Sequence, residues 1–124
     1  MIALDTSSLV AYLGGAAGDD VEMVAMALGH RQAVLPPVVL TEILSDPKLS
    51  SEARSALLDL PLLDPIAGYW ERAGLLRAAI LSKGRKARVA DALIAQSCLD
   101  ASVPLVTRDG DFKHVARVAG LVLL

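Results

Sequence analysis

At 124 residues, 54% hydrophobic and only 3% aromatic, the chain fits one domain with a mainly aliphatic core. Its formal net charge of −2 is not the basic balance typical of nucleic-acid binders, so any such binding requires a local basic patch. No apolar run reaches the roughly 20 residues of a membrane-spanning helix, and no export signal is recognisable. Because Cys98 is the only cysteine, an intrachain disulfide is excluded and we expect a cytoplasmic protein.

Strand-like and helical patterns alternate along the chain. Hydroxyl residues that can cap a helix follow the first apolar run, and two prolines, tolerated in a first helical turn, follow the second strand. The predicted elements are a strand at 1–4, helices at 9–13 and 19–28, a strand at 33–35, helices at 38–45 and 51–59, a short strand at 62–63, helices at 69–83 and 89–99, a strand at 105–106, a helix at 111–117 and a strand at 121–124. This alternation predicts an α/β fold, with a parallel sheet and helices on both faces.

Four acidic residues lie at the ends of apolar runs or inside them: Asp5, Glu42, Asp91 and Asp109. A carboxylate beside a core is costly to desolvate unless it is paired, protonated or bound to a metal. Asp5 and Asp109 each follow a predicted strand, and Glu42 and Asp91 lie on helices predicted to pack beside the sheet. In parallel sheets, sites form outside the carboxyl ends of the strands. We therefore expect the four carboxylates to converge at one edge, with Glu42 directed towards the sheet.

Carboxylate oxygens without neighbouring His or Cys ligands favour Mg²⁺ or Mn²⁺ over Zn²⁺. Such sites keep bound water and take further ligands from substrate phosphates, and a pair of ions can clamp both oxygens of an in-line displacement. The predicted reaction is therefore hydrolysis of a phosphodiester. Both a mechanism with one metal ion and a mechanism with two remain open.

Four segments together resemble the PIN-domain ribonucleases, and among them the VapC-type toxins of toxin–antitoxin pairs. The segments are IALDTSSL from residue 2, TEI from residue 41, DALIA from residue 91 and LVTRDGDF from residue 105. Each is weak alone, but their order and spacing extend the resemblance from the first residues to Phe112.

The resemblance implies a three-layer α/β/α sandwich with a central, mainly parallel sheet of four to five strands, formed by residues 1–124 as one nuclease domain. It also implies a Mg²⁺- or Mn²⁺-dependent endoribonuclease that forms a homodimer and is held inactive by a small antitoxin lying across the active site.

Carried over to this sequence, the resemblance gives each acid a role. Asp5 and Asp91 become the principal metal ligands, while Asp109 and Glu42 complete the set of ligands or orient the attacking water. Supporting positions fall to Ser7, Thr107 and Asp111. For Asp111 an ordinary turn beside Gly110 is an equally good interpretation.

Basic residues near the acids offer a contact for the RNA backbone. Arg85, Lys86 and Arg88 shortly precede Asp91, and Arg108 precedes Asp109. A solvated loop explains the basic run equally well, so both interpretations stay open.

Two other functions are compatible with parts of the pattern. A PIN-like module without nuclease activity would keep the fold for protein contacts. An aspartyl phosphotransferase or phosphatase would use Asp5 as a nucleophile, but such enzymes have a second acid two residues later, where this chain has Ser7.

Overall fold

The computed structural model describes all 124 residues, which form three strands and seven helices. The elements, in chain order, are β1 (Ile2–Leu4), α1 (Thr6–Leu13), α2 (Asp19–Gly29), β2 (Ala33–Val34), α3 (Pro37–Leu44), α4 (Ser51–Leu58), α5 (Tyr69–Ser82), α6 (Val89–Ala101), β3 (Leu105–Val106) and α7 (Phe112–Ala119). The predicted alternation of strands and helices is confirmed, with boundaries mostly within two residues of those expected from the sequence.

β1 lies in the centre of a parallel sheet, in the order β2-β1-β3. Ala3 pairs with Val34 on one side and with Leu105 on the other. Both Ala3 and Leu4 are fully buried, as expected for a central strand whose two faces are covered. The residue that follows each neighbouring strand therefore emerges at the same edge as Asp5.

The sheet has fewer regular strands than the four to five predicted. Leu62, predicted as part of a strand, forms a single parallel bridge with Leu35. The pairing ends there because the next residues, Pro36 and Pro37, have no N–H to continue a ladder.

The predicted terminal strand at 121–124 likewise forms one bridge, between Leu105 and Leu123. Leu105 donates its N–H to Val122 and accepts from the N–H of Leu124. These two hydrogen bonds extend the sheet beyond β3 without forming another regular strand.

One cluster of 22 buried residues runs from β1 to Leu121, so a single core supports all three strands. The α6 helix is the most deeply buried, with residues 94–98 all buried, and it packs against α5, α3 and α7. A helix buried this deeply holds its first turn, which carries Asp91, in a fixed position. None of the seven helices is long and apolar enough to cross a membrane.

Candidate active site

Asp5 follows β1 directly and caps the N-terminus of α1. Its side chain is buried, with the residue only 4% exposed. Its Oδ2 accepts hydrogen bonds from the Ser7 hydroxyl at 2.6 Å and from the Thr107 hydroxyl at 2.7 Å. The backbone N–H of Ser7 also donates to Oδ2, at 3.4 Å. Because every one of these bonds goes to Oδ2, the carboxylate is oriented by neutral donors while Oδ1 is left for another partner.

Ser7 and Thr107 connect the start of α1 with the loop that follows β3. Their hydroxyl oxygens lie 3.2 Å apart. Ser7 Oγ accepts from the backbone N–H of Arg108 at 3.2 Å, and Thr107 Oγ1 accepts from the backbone N–H of Asp109 at 3.0 Å. The two side chains predicted as supports therefore lie between Asp5 and the backbone that carries Asp109.

Asp91 lies in the first turn of α6 and is 6% exposed. Arg88 donates to it twice, from Nε to Oδ2 at 3.2 Å and from Nη2 to Oδ1 at 3.3 Å. The same Nη2 lies 3.5 Å from Oδ2 of Asp109. One guanidinium thus joins the carboxylates of α6 and of the loop after β3.

Several carboxylates of the cluster act on the charge of Arg88. The hydrogen bond to Asp91, followed by the charge of that carboxylate, raises the pKa of the Arg88 guanidinium above its ordinary value. The charges of Asp109 and Glu42 act in the same direction. Asp91 and Asp109 therefore share one cation, and the negative charge of Glu42 adds to its stabilisation.

Glu42 is exposed on α3, whereas Val39 and Ile43 of the same helix are buried. The expectation that Glu42 faces the sheet is wrong, because the buried stripe of α3 runs beside it rather than through it. Its Oε1 accepts from the hydroxyl of Thr6 at 2.6 Å. Since Thr6 directly follows Asp5, Glu42 is nevertheless held at the rim of the acidic cluster.

Asp111 contributes through its backbone. Its N–H donates to Oδ1 of Asp109 at 2.9 Å, and its side chain makes no capping hydrogen bond to α7. This contact closes a turn that fixes the Asp109 carboxylate.

The predicted RNA-contact residues fall into three different environments. Arg85 and Lys86 are exposed in the loop between α5 and α6. Arg88 lies among the acids. Arg108 instead turns towards Asp20, with Nε 2.8 Å from Oδ2 and Nη2 2.9 Å from Oδ1. Of the four, only Arg85 and Lys86 are free of an ion pair.

Asp20 is an acid whose structural role the sequence did not indicate. Arg108 and Ser8 both donate to its carboxylate, and the hydrogen bond from Arg108 is the main reason that the Asp20 pKa lies well below its ordinary value. A partner 88 residues away leaves no local signal that would have revealed this pair.

Cys98 lies in the core and gives the site no reactive thiol. Burial, followed by the negative charge of Asp5, raises the pKa of the thiol to about 12. Cys98 therefore stays protonated near neutral pH and is a poor nucleophile.

The chemistry of the donors fits a hard divalent cation, because Asp5, Asp91 and Asp109 offer only carboxylate oxygens and Oδ1 of Asp5 receives no hydrogen bond. In the present side-chain conformations, no three His, Cys, Asp or Glu residues are arranged as a ready-made metal site. Mg²⁺ commonly binds proteins through one or two carboxylates and keeps several waters. These residues therefore fit Mg²⁺ or Mn²⁺ by chemistry, with side-chain movement needed around Arg88.

Comparisons with known proteins agree with this architecture. The family model described as "PIN domain" matches residues 2–118. The structure of VapBC2 from Rickettsia felis, bound to a DNA fragment from their promoter, is 25% identical with a TM-score of 0.74, covering 100% of this chain and 98% of that one.

Two further solved structures have the same fold. FitAcB from Neisseria gonorrhoeae is 18% identical, with a TM-score of 0.71 and coverage of 100% of this chain and 96% of that one. VapBC-5 from Mycobacterium tuberculosis, a member of the VapBC family of toxin-antitoxin systems, is 21% identical, with a TM-score of 0.67 and coverage of 98% and 95%. A search of curated protein sequences finds no match.

Proposed function

Since the chain belongs to the PIN-domain family, we propose that it is a Mg²⁺- or Mn²⁺-dependent endoribonuclease and the toxin of a toxin–antitoxin pair. One observation carries the proposal. At the carboxyl edge of the parallel sheet, the buried carboxylate of Asp5 is linked through Thr107 to the loop carrying Asp109, which shares Arg88 with Asp91. An edge of this kind, rich in carboxylates and free of His and Cys, suits metal-assisted phosphodiester hydrolysis.

Asp5, Asp91 and Asp109 are the residues that would hold the cation. When bound, the metal ion would activate water and neutralise charge on the phosphate. Ser7 and Thr107 hold the Asp5 carboxylate through Oδ2, and Oδ1 accepts no hydrogen bond.

Glu42 and Asp111 would act from the rim of the site. Glu42, which accepts a hydrogen bond from the Thr6 hydroxyl, would orient the attacking water. Asp111 supports the site through the hydrogen bond from its backbone to Asp109.

We propose that RNA is held through its phosphates by the exposed side chains of Arg85 and Lys86, close in sequence to Asp91. Arg88 and Arg108 would join them only by leaving Asp91 and Asp20, respectively. This patch would supply the basic surface that the net charge of −2 does not provide.

We propose a homodimer and a small antitoxin lying across the active site as partners. A groove of about 420 Å³ between α5 and α6 supports an interface, because it is mostly apolar and open to solvent. Trp70, at its edge, is 63% exposed. The similarity to VapBC2, and to VapBC-5 of a family of toxin-antitoxin systems, supports an antitoxin as the second partner.

The single core cluster supports our proposal that residues 1–124 form one nuclease domain, arranged in three α/β/α layers. We further propose that the protein works in the cytoplasm. A chain with one cysteine needs no oxidising compartment for an intrachain disulfide, and RNA substrates are present there.

The nuclease proposal is tested with purified protein freed of any partner. It should cleave RNA when Mg²⁺ or Mn²⁺ is supplied, and Asp5→Asn and Asp91→Asn should lose this cleavage while keeping the circular dichroism spectrum of the wild type. Asp64→Asn, which changes an exposed acid away from the cluster, is the matched control. Undiminished cleavage by both site variants would refute the site, and intact RNA with every protein would favour the protein-binding alternative.

A further inference from the structure

Arg88 occupies an unusual place for an arginine. It is the N-cap residue of α6, yet its side chain makes no capping hydrogen bond. N-caps favour Ser, Thr, Asp and Asn, and a positive charge at a helix N-terminus opposes the helix dipole. Helix stability therefore does not explain why an arginine is found here. The contacts of its guanidinium group explain it instead.

Those contacts are with two carboxylates from different parts of the chain. Nη2 lies 3.3 Å from Oδ1 of Asp91 and 3.5 Å from Oδ2 of Asp109, and Nε lies 3.2 Å from Oδ2 of Asp91. Arg88 is the only basic residue that forms an ion pair with either acid. It therefore supplies the positive charge that lets these two carboxylates approach one another.

A divalent cation would need the same oxygen atoms. Mg²⁺ binds oxygen at about 2.0–2.1 Å in nearly octahedral geometry. A guanidinium donating to both oxygens of Asp91 and to Asp109 occupies the directions that the cation would use. The two positive groups also repel one another, so both cannot be held there together.

The Arg88 contacts are easily broken. Its side chain is 72% exposed, and all three of its distances to oxygen are 3.2 Å or longer. By contrast, the guanidinium of Arg108 lies 2.8 and 2.9 Å from its carboxylate and is 39% exposed. Exposed and long ion pairs contribute little to stability, so they are displaced readily.

We propose that Arg88 is a built-in competitor of the divalent cation: it pairs with Asp91 and Asp109 in the metal-free protein and must leave for the metal to bind. This inference rests on the proposed metal-dependent function. It gives Arg88 a role that sets the metal concentration at which the site is loaded, in place of the RNA contact indicated by the sequence.

The test is a calorimetric titration of Mn²⁺ into the full chain at low ionic strength. Arg88→Ala should bind Mn²⁺ about three- to tenfold more tightly than the wild type, as expected when exposed ion pairs no longer have to be broken. Arg88→Gln should behave similarly and serves if the alanine variant folds poorly. Lys83→Ala removes one positive charge at the end of α5 and is the matched control, with unchanged affinity expected.

Melting temperature gives a second readout that does not involve catalysis. Without metal, Arg88→Ala should melt below the wild type because Asp91 and Asp109 lose their counter-charge. Saturating Mn²⁺ should remove that difference, since bound metal stabilises only the folded state.

The outcomes separate the two proposals. Equal Mn²⁺ affinity in the wild type and both Arg88 variants, or weaker affinity in the variants, would overturn the competitor role and leave the nuclease proposal intact. If no protein in the series bound Mn²⁺, the metal-dependent function itself would be wrong. An equal gain of affinity in Lys83→Ala would assign the effect to general charge rather than to Arg88.

Discussion

Two arginine–aspartate pairs adjoin the loop that follows β3, and they differ in bond length, exposure and number of partners. Arg108 holds Asp20 through two bonds of 2.8 and 2.9 Å, and Ser8 donates to the same carboxylate at 2.8 Å. Arg88 holds Asp91 at 3.2–3.3 Å, shares itself with Asp109 and is mostly exposed.

The same type of arginine–aspartate pair thus has a different role in each place. The Arg108 guanidinium also donates to the carbonyl oxygen of Ala17, so it fastens the segment before α2 to the end of β3. Short, paired bonds of this kind fix geometry. The longer bonds of Arg88 are more easily broken, so Asp91 and Asp109 can be released to another partner. Although Arg108 and Asp109 are neighbours in the sequence, they belong to opposite sides of this contrast.

Replacing one carboxylate in each pair should give the largest difference in effect between the two pairs. Asp91→Asn is expected to lower the rate of RNA cleavage by about 100-fold or more, because a neutral amide is a poor ligand for a hard cation. Asp20→Asn should leave the rate within about threefold and lower the melting temperature by several degrees. Cleavage assays and thermal melts on both variants check this. A large rate loss in Asp20→Asn with unchanged stability would erase the contrast.

A smaller effect is expected at Thr107, which lies between the two pairs. Thr107→Val keeps the shape of the side chain but removes the hydroxyl that donates to Asp5 and accepts from the Asp109 backbone. Cleavage should fall by roughly tenfold, the scale expected when a hydrogen bond that orients a metal ligand is lost.

Thr41→Val provides the matched control for Thr107→Val, because the Thr41 hydroxyl faces solvent on α3 and contacts only a backbone carbonyl of its own helix. Its cleavage rate should match that of the wild type. Equal rates for all three proteins would show that Thr107 does not orient the site.

The smallest expected effect is the loss of stability of the Asp20–Arg108 pair at low pH. The hydrogen bond from Arg108 lowers the pKa of Asp20 in the folded state. The pair therefore stabilises the protein fully at a pH above the unfolded pKa of about 3.9, and this stabilisation is lost as the pH falls below that value. The difference in melting temperature between wild type and Asp20→Asn should therefore shrink from about pH 5 towards pH 2. Asp19→Asn, which changes an exposed neighbour without an ion pair, is the matched control and should leave the melting temperature close to that of the wild type. A constant difference across this range would contradict the role assigned to the pair.

Local patterns in the sequence predict most of the fold. The apolar run before Asp5, the capping residue Ser50 and the Pro37 start of α3 all act within a few residues, and the structure confirms each element. The strand predicted at 62–63 fails because its partner segment continues into prolines, a property of the pairing rather than of the run itself.

The candidate site was predictable as a set of acids but not as a set of contacts. Asp5, Asp91 and Asp109 stand out because each carboxylate lies at the end of an apolar stretch or inside one. The partners of Arg88 and Arg108 depend on side-chain directions, and nothing in the loop sequence distinguishes an arginine that faces Asp20 from one that faces solvent. The hydroxyl of Thr6, which holds Glu42 from 36 residues away, was hidden for the same reason.

The central position of β1 has a consequence for synthesis of the chain. Asp5 is made 102 residues before Thr107, which orients it. A ribosome that stops before β3 releases a product that contains Asp5, Glu42 and Asp91 without the strand beside which they are arranged. Contacts so distant in sequence form late in folding. Under the proposed nuclease function, a chain released at that point would lack Thr107 and Asp109 and therefore the assembled site.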